Sequence, residues 1–483
     1  MAPRFHFAAA IFGQAYVQRF LEAGLPSQLS PGNLPALAGG PRPRYHLFTP
    51  AEEAGAIRAA PLYPRLAALA EVVFHDIGAQ AAACRARACS PYDVMNHAYS
   101  ETLRLALADA GALVAIWPDV LFSDGAFARL RDLAARGIRG VATCGNQAHP
   151  DLVPAARARF LDPASGALVL APRQLVGLTL AHLTPYWTQF FADHPCFPSE
   201  AATHVQWRVG AEGILMRSSF FHPLLAVPTE ASCAFALGGL GDGLDTTDFL
   251  ATLTPDVERG IHLVADSDEF CTVGIDPRAS CFRSQARPLS RAEMALALAR
   301  TAHPHTRWLF SRSLRFHTGD CGPLWAAREA EAGALVESVL DLVDLLRARP
   351  ELREDLLALQ ARSQPSPDNE ALYALVARRI GTLAVAWRRD GLRVAVHGAG
   401  PWTRRLLAEP ALDRCRILGV VDSNPALQGT ALLRWTVQAP AGLPAMAPDV
   451  VLVAARRAQA DILAQLAELP GLRAELVPLF EPA

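Results

Sequence analysis

The chain has 483 residues, room for two to four domains of ~100–200 residues each. With 51% apolar and 19% charged residues it can fill more than one core, which excludes general disorder, and a formal net charge of −2 excludes a polybasic binder of nucleic acid or anionic membrane. All 45 basic residues are arginine, which excludes Schiff-base, P-loop and general-base lysines and leaves phosphate binding to arginine, helix N-termini or backbone amides.

Strand and helix signals alternate from the start. Phe5–Phe12 is a short apolar run, followed by a helical pattern over Gln14–Ala23. A loop rich in proline and glycine then runs from Leu25 through Pro35 to Arg44. Its Ser27, Gln28, Ser30 and Asn33 suit either a lid over a sugar or base, or a structural loop. Tyr45–Phe48 reads as a strand, and Thr49-Pro50-Ala51-Glu52 as a helix start with Thr49 as N-cap. Val72–Phe74 is a strand, Tyr92–Ala110 a long helix and Ala112–Trp117 a buried-type strand. Asp124 caps a helix through Ala135, and Ile138–Cys144 is the next strand. This alternation predicts a largely parallel α/β sheet.

From about 150 to 285 the rhythm changes to short apolar runs, Gly213–Arg217 and Ile261–Ala265, among Pro, Gly and Asp clusters. That pattern predicts antiparallel strands and long loops in the second half of the same domain. Residues 286–390 read as mostly helical. The last ~95 residues follow a compact βαβ pattern: strands at Arg393–His397, Ile417–Val421 and Val450–Ala454, helices at Pro401–Ala408 and Arg457–Leu469. The expected division is 1–285, 286–390 and 391–483.

Nine cysteines form no C-x-x-C pair, and the odd count argues against a zinc knuckle or a full disulfide framework. A reduced, cytoplasmic setting is expected. Cys84 and Cys89, around a small arginine-bearing loop, are the one spacing that suggests a paired role. The apolar run Ala167–Leu183 is interrupted by Arg173, and no uncharged stretch reaches the ~18 residues of a membrane span. No export signal is evident at the start of the chain.

Three groups of residues carry possible chemistry. In Val394-Ala-Val-His397-Gly398-Ala-Gly400, a strand enters a glycine turn and a helix start. Gly398 suits the tight turn, and Gly400 lets a phosphate approach the amides. Asp422 ends the next strand, where an acidic side chain reaches ribose hydroxyls. Thr403 replaces the third glycine of the dinucleotide fingerprint, and a Rossmann-like domain that binds nothing is the alternative. The second group is Trp117-Pro118-Asp119 at a strand end, where Asp119 suits a divalent metal beside a diphosphate. The third comprises Asp242, Asp245 and Asp248, then Asp266-Ser267-Asp268. These carboxylates suit a cation or a base for an acceptor hydroxyl, or else form solvated turns. His222 is the histidine best placed to join them, and Arg217 is either a phosphate ligand or a salt-bridge residue. No serine lies in a nucleophile elbow.

Residues 391–470, through His397-Gly-Ala-Gly400, Gly419-Val-Val-Asp422-Ser-Asn-Pro425, Gly429 and Pro448–Val453, resemble the small Rossmann-like domain appended to many bacterial sugar-modifying enzymes and glycosyltransferases. The order of elements over 5–145, with Ile116-Trp-Pro-Asp119 and Ser123-Asp124-Gly125, resembles a GT-A type nucleotide-sugar glycosyltransferase, as does the Leu25–Pro35 loop. That family's metal motif is Asp-x-Asp, where this strand ends in Trp117-Pro118-Asp119.

The resemblance implies an α/β fold: a GT-A-like mixed-sheet domain, a helical middle segment and a small C-terminal Rossmann-like parallel-sheet domain. It implies a cytoplasmic transferase moving sugar from a nucleotide sugar to a glycan or other small acceptor. Asp119, Asp245 and Asp248 are then the metal candidates (manganese or magnesium), and Asp266, Asp268 and His222 the catalytic ones. Gly398, Gly400 and Asp422 would bind a nucleotide or NAD(P). Two alternatives stand beside it: an NAD(P)-linked or other sugar-modifying enzyme working in the C-terminal domain, and a non-catalytic scaffold that keeps both folds.

Overall fold

The computed structural model describes residues 3–86, 90–238, 244–276, 288–301, 305–349, 351–352, 367–400, 403, 406–407, 412, 414–425, 427–454 and 459–480. Cys89, Asp242 and most of the helix expected at Pro401–Ala408 lie outside them.

The chain forms two compact units, Met1–Arg362 and Ser363–Ala483. The expected helical middle is therefore not a separate body. Its long helix Pro323–Ala348 buries Ala332, Val336, Val339, Leu340 and Val343, spaced at three and four residues, in the main core of the first unit. Its last part, the helix Pro367–Arg389, belongs to the second unit. It is also not all helical, because Leu314–His317 is a strand.

The first unit is built on a seven-stranded sheet. Its strands are β1 (Phe5–Ala10), β2 (Arg44–Phe48), β3 (Glu71–His75) and β4 (Ala112–Ile116), joined by β6 (Gly140–Thr143), β10 (His222–Ala226) and β11 (Ile261–Leu263). The order is β11-β6-β10-β4-β1-β2-β3. All pairings are parallel except the two made by β10. β1 is buried along its whole length, so both its faces are apolar, as a central parallel strand requires. Phe5, Phe7 and Ala9 enter one core, and Ala8 and Ala10 face the helix Pro91–Ala108 on the other side. Ser90 caps that helix in a box with Asp93, and Ala98, Thr102, Leu103 and Ala106 are among its buried residues.

Two smaller sheets complete the unit. One joins β5 (Val120–Phe122), β7 (Asn146–Ala148) and β12 (Thr272–Ile275) in the order β5-β12-β7. The other, fully antiparallel, joins β8 (His204–Arg208), β9 (Gly213–Ser218) and β13 (Leu314–His317).

The second unit carries β14 (Arg393–His397), β15 (Arg416–Val421), β16 (Ala431–Leu432), β17 (Trp435–Gln438), β18 (Val450–Val453) and β19 (Glu475–Pro478). Its order, β16-β17-β15-β14-β18-β19, is parallel throughout except for the β16–β17 hairpin. This is a Rossmann-like, doubly wound sheet. Arg393 closes a two-pronged ion pair with Asp449 at 2.8 and 3.0 Å, joining the starts of β14 and β18.

The proline-rich segment 25–35 is neither open nor a lid. Leu25–Gln28 continues the helical path begun at Gln14–Arg19, and Ser27, Gln28, Ser30 and Asn33 have no exposed surface. The Asn33 amide donates to Ser27 O, Ser30 Oγ and Ser123 O at 2.8–3.1 Å, and its Oδ1 accepts from Phe127 N. Ser27 Oγ accepts from Phe122 N, and Gln28 Oε1 from Tyr45 OH. Asp124 is not the expected N-cap: its Oδ1 accepts from Gly32 N at 2.6 Å, and Gly125 in the left-handed region occupies the cap. Thr49 does not cap either, since the helix starts at Ala51 with Pro50 before it.

Asn33→Ala leaves several buried groups unpaired at once. It is expected to cost about 2–4 kcal/mol, read as a lower urea midpoint at unchanged slope.

Candidate functional site

In an open α/β sheet, ligands bind beyond the carboxyl ends of adjacent strands whose connections leave in opposite directions. In the first unit this switch point lies between β1 and β4, because β2 and β3 lie on one side and β10, β6 and β11 on the other. After β1 comes Gly13 with φ 89°, which opens the helix Gln14–Arg19. Its N–H is already taken by Glu53 Oε1 at 2.8 Å. After β4 comes Trp117-Pro118-Asp119.

Asp119 is half-buried, and its carbonyl accepts from Ile275 N at 2.8 Å. Burial pushes its carboxyl up to about 6, and the charge of Asp276 adds to this, while its own backbone amide and Arg19 oppose it. Asp276, buried one residue beyond β12, is thus a second carboxylate of the rim. Tyr16 is 42% exposed, and burial together with the Asp119 charge raises its hydroxyl. Trp117 donates its ring N–H to Met95 Sδ and packs on His222. Two carboxylates, an arginine and exposed aromatic surface at a switch point suit a polar ligand with a ring and a charged group.

His222, expected beside the acidic cluster, is a core residue instead. Its ring packs at a 36° tilt against Trp117, its Nε2 lies 3.3 Å from the Ala115 carbonyl, and burial pulls it down to about 3. The histidine that meets Asp266 is His317, on β13. His317 Nε2 lies 2.8 Å from Asp266 Oδ1 and its Nδ1 lies 2.6 Å from Gly319 O. Both nitrogens of the His317 ring therefore face oxygen atoms.

Asp268 is held by Arg173 at 2.7 and 2.9 Å, and Arg173 also bonds Asp320. The Arg173 guanidinium keeps the Asp268 carboxyl below its usual range. Among the described residues, Asp266, Asp268 and His317 are the group whose ligand atoms come within 4.8 Å of one another. The other expected set, Asp119, Asp245 and Asp248, is not gathered into such a group. Asp248 sits in the first turn of the helix Thr247–Leu253, where a carboxylate complements the helix dipole. Asp266 and Asp119 also follow strands separated by three ladder steps, about 14 Å at usual spacing, so they do not form one centre. Arg217 is buried and donates to Ser311 O, which is a structural role.

In the second unit the switch point lies between β14 and β18. Gly398 has φ 108°, which a side chain would strain, and its N–H donates to Val421 O. Among the described residues, a Cβ on Gly400 would meet nothing within 4 Å. Asp422 accepts from Ala399 N at 2.6 Å and Asn424 N at 2.8 Å, which makes it first the brace of the glycine loop. His397 is buried, with Nε2 3.2 Å from Ser423 Oγ.

Sequence reading found Asp119, Asp266 and Asp268 from strand ends, and it missed Asp276, Tyr16 and His317. Asp276 carried a usable signal, as a carboxylate closing the apolar run Cys271–Ile275. His317 reaches Asp266 only through the pairing of their two segments, some fifty residues apart.

No family model matches the chain, and no curated protein matches it. Among solved structures it is similar to RSP, a Rex-family repressor, at 13% identity over 33% of this chain and 88% of that one, with a TM-score of 0.17. RSP in complex with beta-NADH gives 11% identity over 32% and 73%, with a TM-score of 0.16. At these scores the likeness carries nothing about ligand or activity. No described helix is long and apolar enough to cross a membrane.

Two predictions follow from the buried charges. A carboxyl raised from 3.8 to about 6 binds its proton more tightly when folded, so the stability it contributes is lost as pH rises through 6. Asp119→Asn is therefore expected to stabilise the protein at pH 7.5 by up to about 3 kcal/mol, read as a higher melting temperature. His204 and His222 are lowered from 6.5 to about 3, so their stability is full above pH 6.5 and is lost as pH falls toward 3. Each is expected to cost about 2 kcal/mol at pH 5, read as the drop in urea midpoint from pH 7.5.

Proposed function

We propose that the protein is a glycosyltransferase-like enzyme. It takes a sugar from a nucleotide-sugar donor at the β1–β4 crevice and passes it to a glycan or other small acceptor. The observation that carries this reading is the coincidence of the switch point with Asp119, a half-buried carboxyl held at about 6. In such a transfer the acceptor hydroxyl attacks the anomeric carbon, its proton passes to a base, and the nucleoside diphosphate leaves. A carboxylate near 6 is suited to take that proton at neutral pH, and Asp276 beside it raises its basicity. Arg19, in a chain without lysine, is suited to the departing diphosphate. Tyr16 offers an exposed ring to a sugar or base.

The donor set that fits a divalent cation is Asp266, Asp268 and His317, two carboxylates and an imidazole. Manganese or magnesium held there would neutralise charge on a phosphate-bearing ligand, and Arg173 would have to leave Asp268 to admit it.

A second reading places a nucleotide or NAD(P) in the second unit. It is favoured by the positive φ of Gly398 at the β14–β18 switch point and by the space at Gly400, where no described residue comes within 4 Å of a Cβ.

A thermal-shift panel of UDP-, GDP- and CMP-sugars and NAD(P), each with and without manganese, tests both. A ligand at 100 times its Kd adds ~2.7 kcal/mol. The expected result is a shift with one nucleotide sugar that Asp119→Ala abolishes. Manganese dependence lost in Asp266→Asn assigns the cation. A shift with NAD(P) alone, lost in Asp422→Ala, moves the chemistry to the second unit. No shift with any ligand leaves a scaffold that keeps both folds.

A further inference from the structure

Three imidazoles lie in a row across β1, β2 and β3, on the sheet face covered by the helix Pro91–Ala108. His6 Nδ1 is 3.1 Å from His46 Nε2, and His46 Nδ1 is 2.9 Å from His75 Nε2. The ring centres are 5.4 and 5.2 Å apart, with planes tilted by 10° and 34°. The rings therefore lie edge to edge, as in-plane hydrogen bonds require, and are not stacked face to face. His6 and His46 are fully buried and His75 is half-buried. Because each histidine lies further along its strand than the last, the row crosses the sheet diagonally. It starts near the amino end of β1 and ends at the last residue of β3.

The row has a fixed polarity. At its first end Asp109 Oδ2 lies 3.2 Å from His6 Nε2, slightly off the line of a hydrogen bond, and Arg4 and Arg44 hold the same carboxylate. His6 Nε2 is buried with no other acceptor in place among the described residues. A lone pair on Nε2 would face the carboxylate and be repelled, so Nε2 carries the hydrogen. His6 Nδ1 is then an acceptor, His46 Nε2 must donate to it, and His75 Nε2 must donate to His46 Nδ1. His75 Nδ1 is left as the acceptor at the far end, where Glu101 and His97 of the helix Pro91–Ala108 supply the nearby charges.

We propose that His75, His46 and His6 form a directed proton relay that links the His97–Glu101 end of the sheet to Asp109. A proton arriving at His75 Nδ1 releases the one on His75 Nε2 to His46 Nδ1. His46 Nε2 passes its proton to His6 Nδ1, and His6 Nε2 passes its own to Asp109. One proton enters at His75 and one leaves to water through the exposed Asp109 carboxylate, which the ion pairs with Arg4 and Arg44 keep below its usual range despite partial burial, and all three rings change from the Nε2–H to the Nδ1–H tautomer. Burial pulls His46 down to about 3, so a free imidazolium in the middle is costly and the transfers are concerted. Gly111 keeps the first link in place: a Cβ there would lie 2.9–3.1 Å from the His6 ring.

The test is long-range proton–nitrogen correlation of the full chain carrying ring-¹⁵N histidine, with the three signals assigned by single His→Gln variants. The expected result at pH 7.5 is three neutral Nε2–H rings. Any of the three in the Nδ1–H form overturns the polarity and with it the relay. In Asp109→Leu the anchor is gone, and Nδ1–H signal is expected at His75, two rings away. A response confined to His6 overturns the coupling. In the double variant Asp109→Leu, His46→Phe the effect on His75 is expected to vanish, and its persistence would show that it does not travel through the row. Should either variant fail to fold, the three wild-type tautomers alone decide the matter.

Discussion

The rim around Asp119 depends on how tightly the segment after β1 is locked to the segment after β4. A buried loop is costly unless every polar group finds a partner. Here Asn33 spends its whole side chain on that task, tying residues 27–33 to Ser123 and Phe127. Two glycines permit the approach. A Cβ on Gly32 would lie 2.4 Å from Gly125 N, and one on Gly24 would lie 2.9 Å from Pro118 O. Gly24 therefore lets the helical segment press on the residue next to Asp119. The position of that carboxyl, and the burial that holds it near 6, follow from contacts made by Asn33, Gly32 and Gly24.

Much of the fold was legible because parallel strands buried on both faces read as apolar runs. Phe5–Ala10, Ala112–Ile116 and Val450–Val453 are of this kind. Helix starts were less legible. Thr49 and Asp124 have the composition of caps, yet Asp124 is drawn away by Gly32 and Thr49 precedes the cap by one residue. The loop 25–35 was legible as rigid, but nothing in its composition told that the polar side chains point inward. Strand ends gave Asp119 and Asp266. His222 was misplaced because sequence proximity to Arg217 and the acidic run says nothing of the face on which a ring lies. The long helix 323–348 was legible only as part of a mostly helical stretch, and its partner core was not legible, since that core is assembled from strands and helices far away in the chain.

The two units share one design with different endings. Each sheet has its first strand at the switch point, β1 between β2 and β4 and β14 between β15 and β18, and each first strand runs into a glycine of positive φ, Gly13 or Gly398. The second unit stays parallel across the switch point. The first inserts antiparallel β10 between β4 and β6, which packs the buried His222 behind Trp117. A carboxylate brace accompanies each glycine: Glu53 takes the Gly13 amide, and Asp422 takes that of Ala399. Both turns are thus held rigid by side chains before any ligand is considered.

The arginine-only ion pairs have a practical consequence. Arg393–Asp449 and Arg173–Asp268 join separate segments through guanidinium groups, which keep their charge to far higher pH than an ammonium. Alkali will not loosen these clasps before it ionises tyrosines and cysteines. The same residue choice leaves the folded surface without a primary amine on any side chain. Amine-directed dyes, cross-linkers and coupled resins then find no side chain to attach to along these 483 residues.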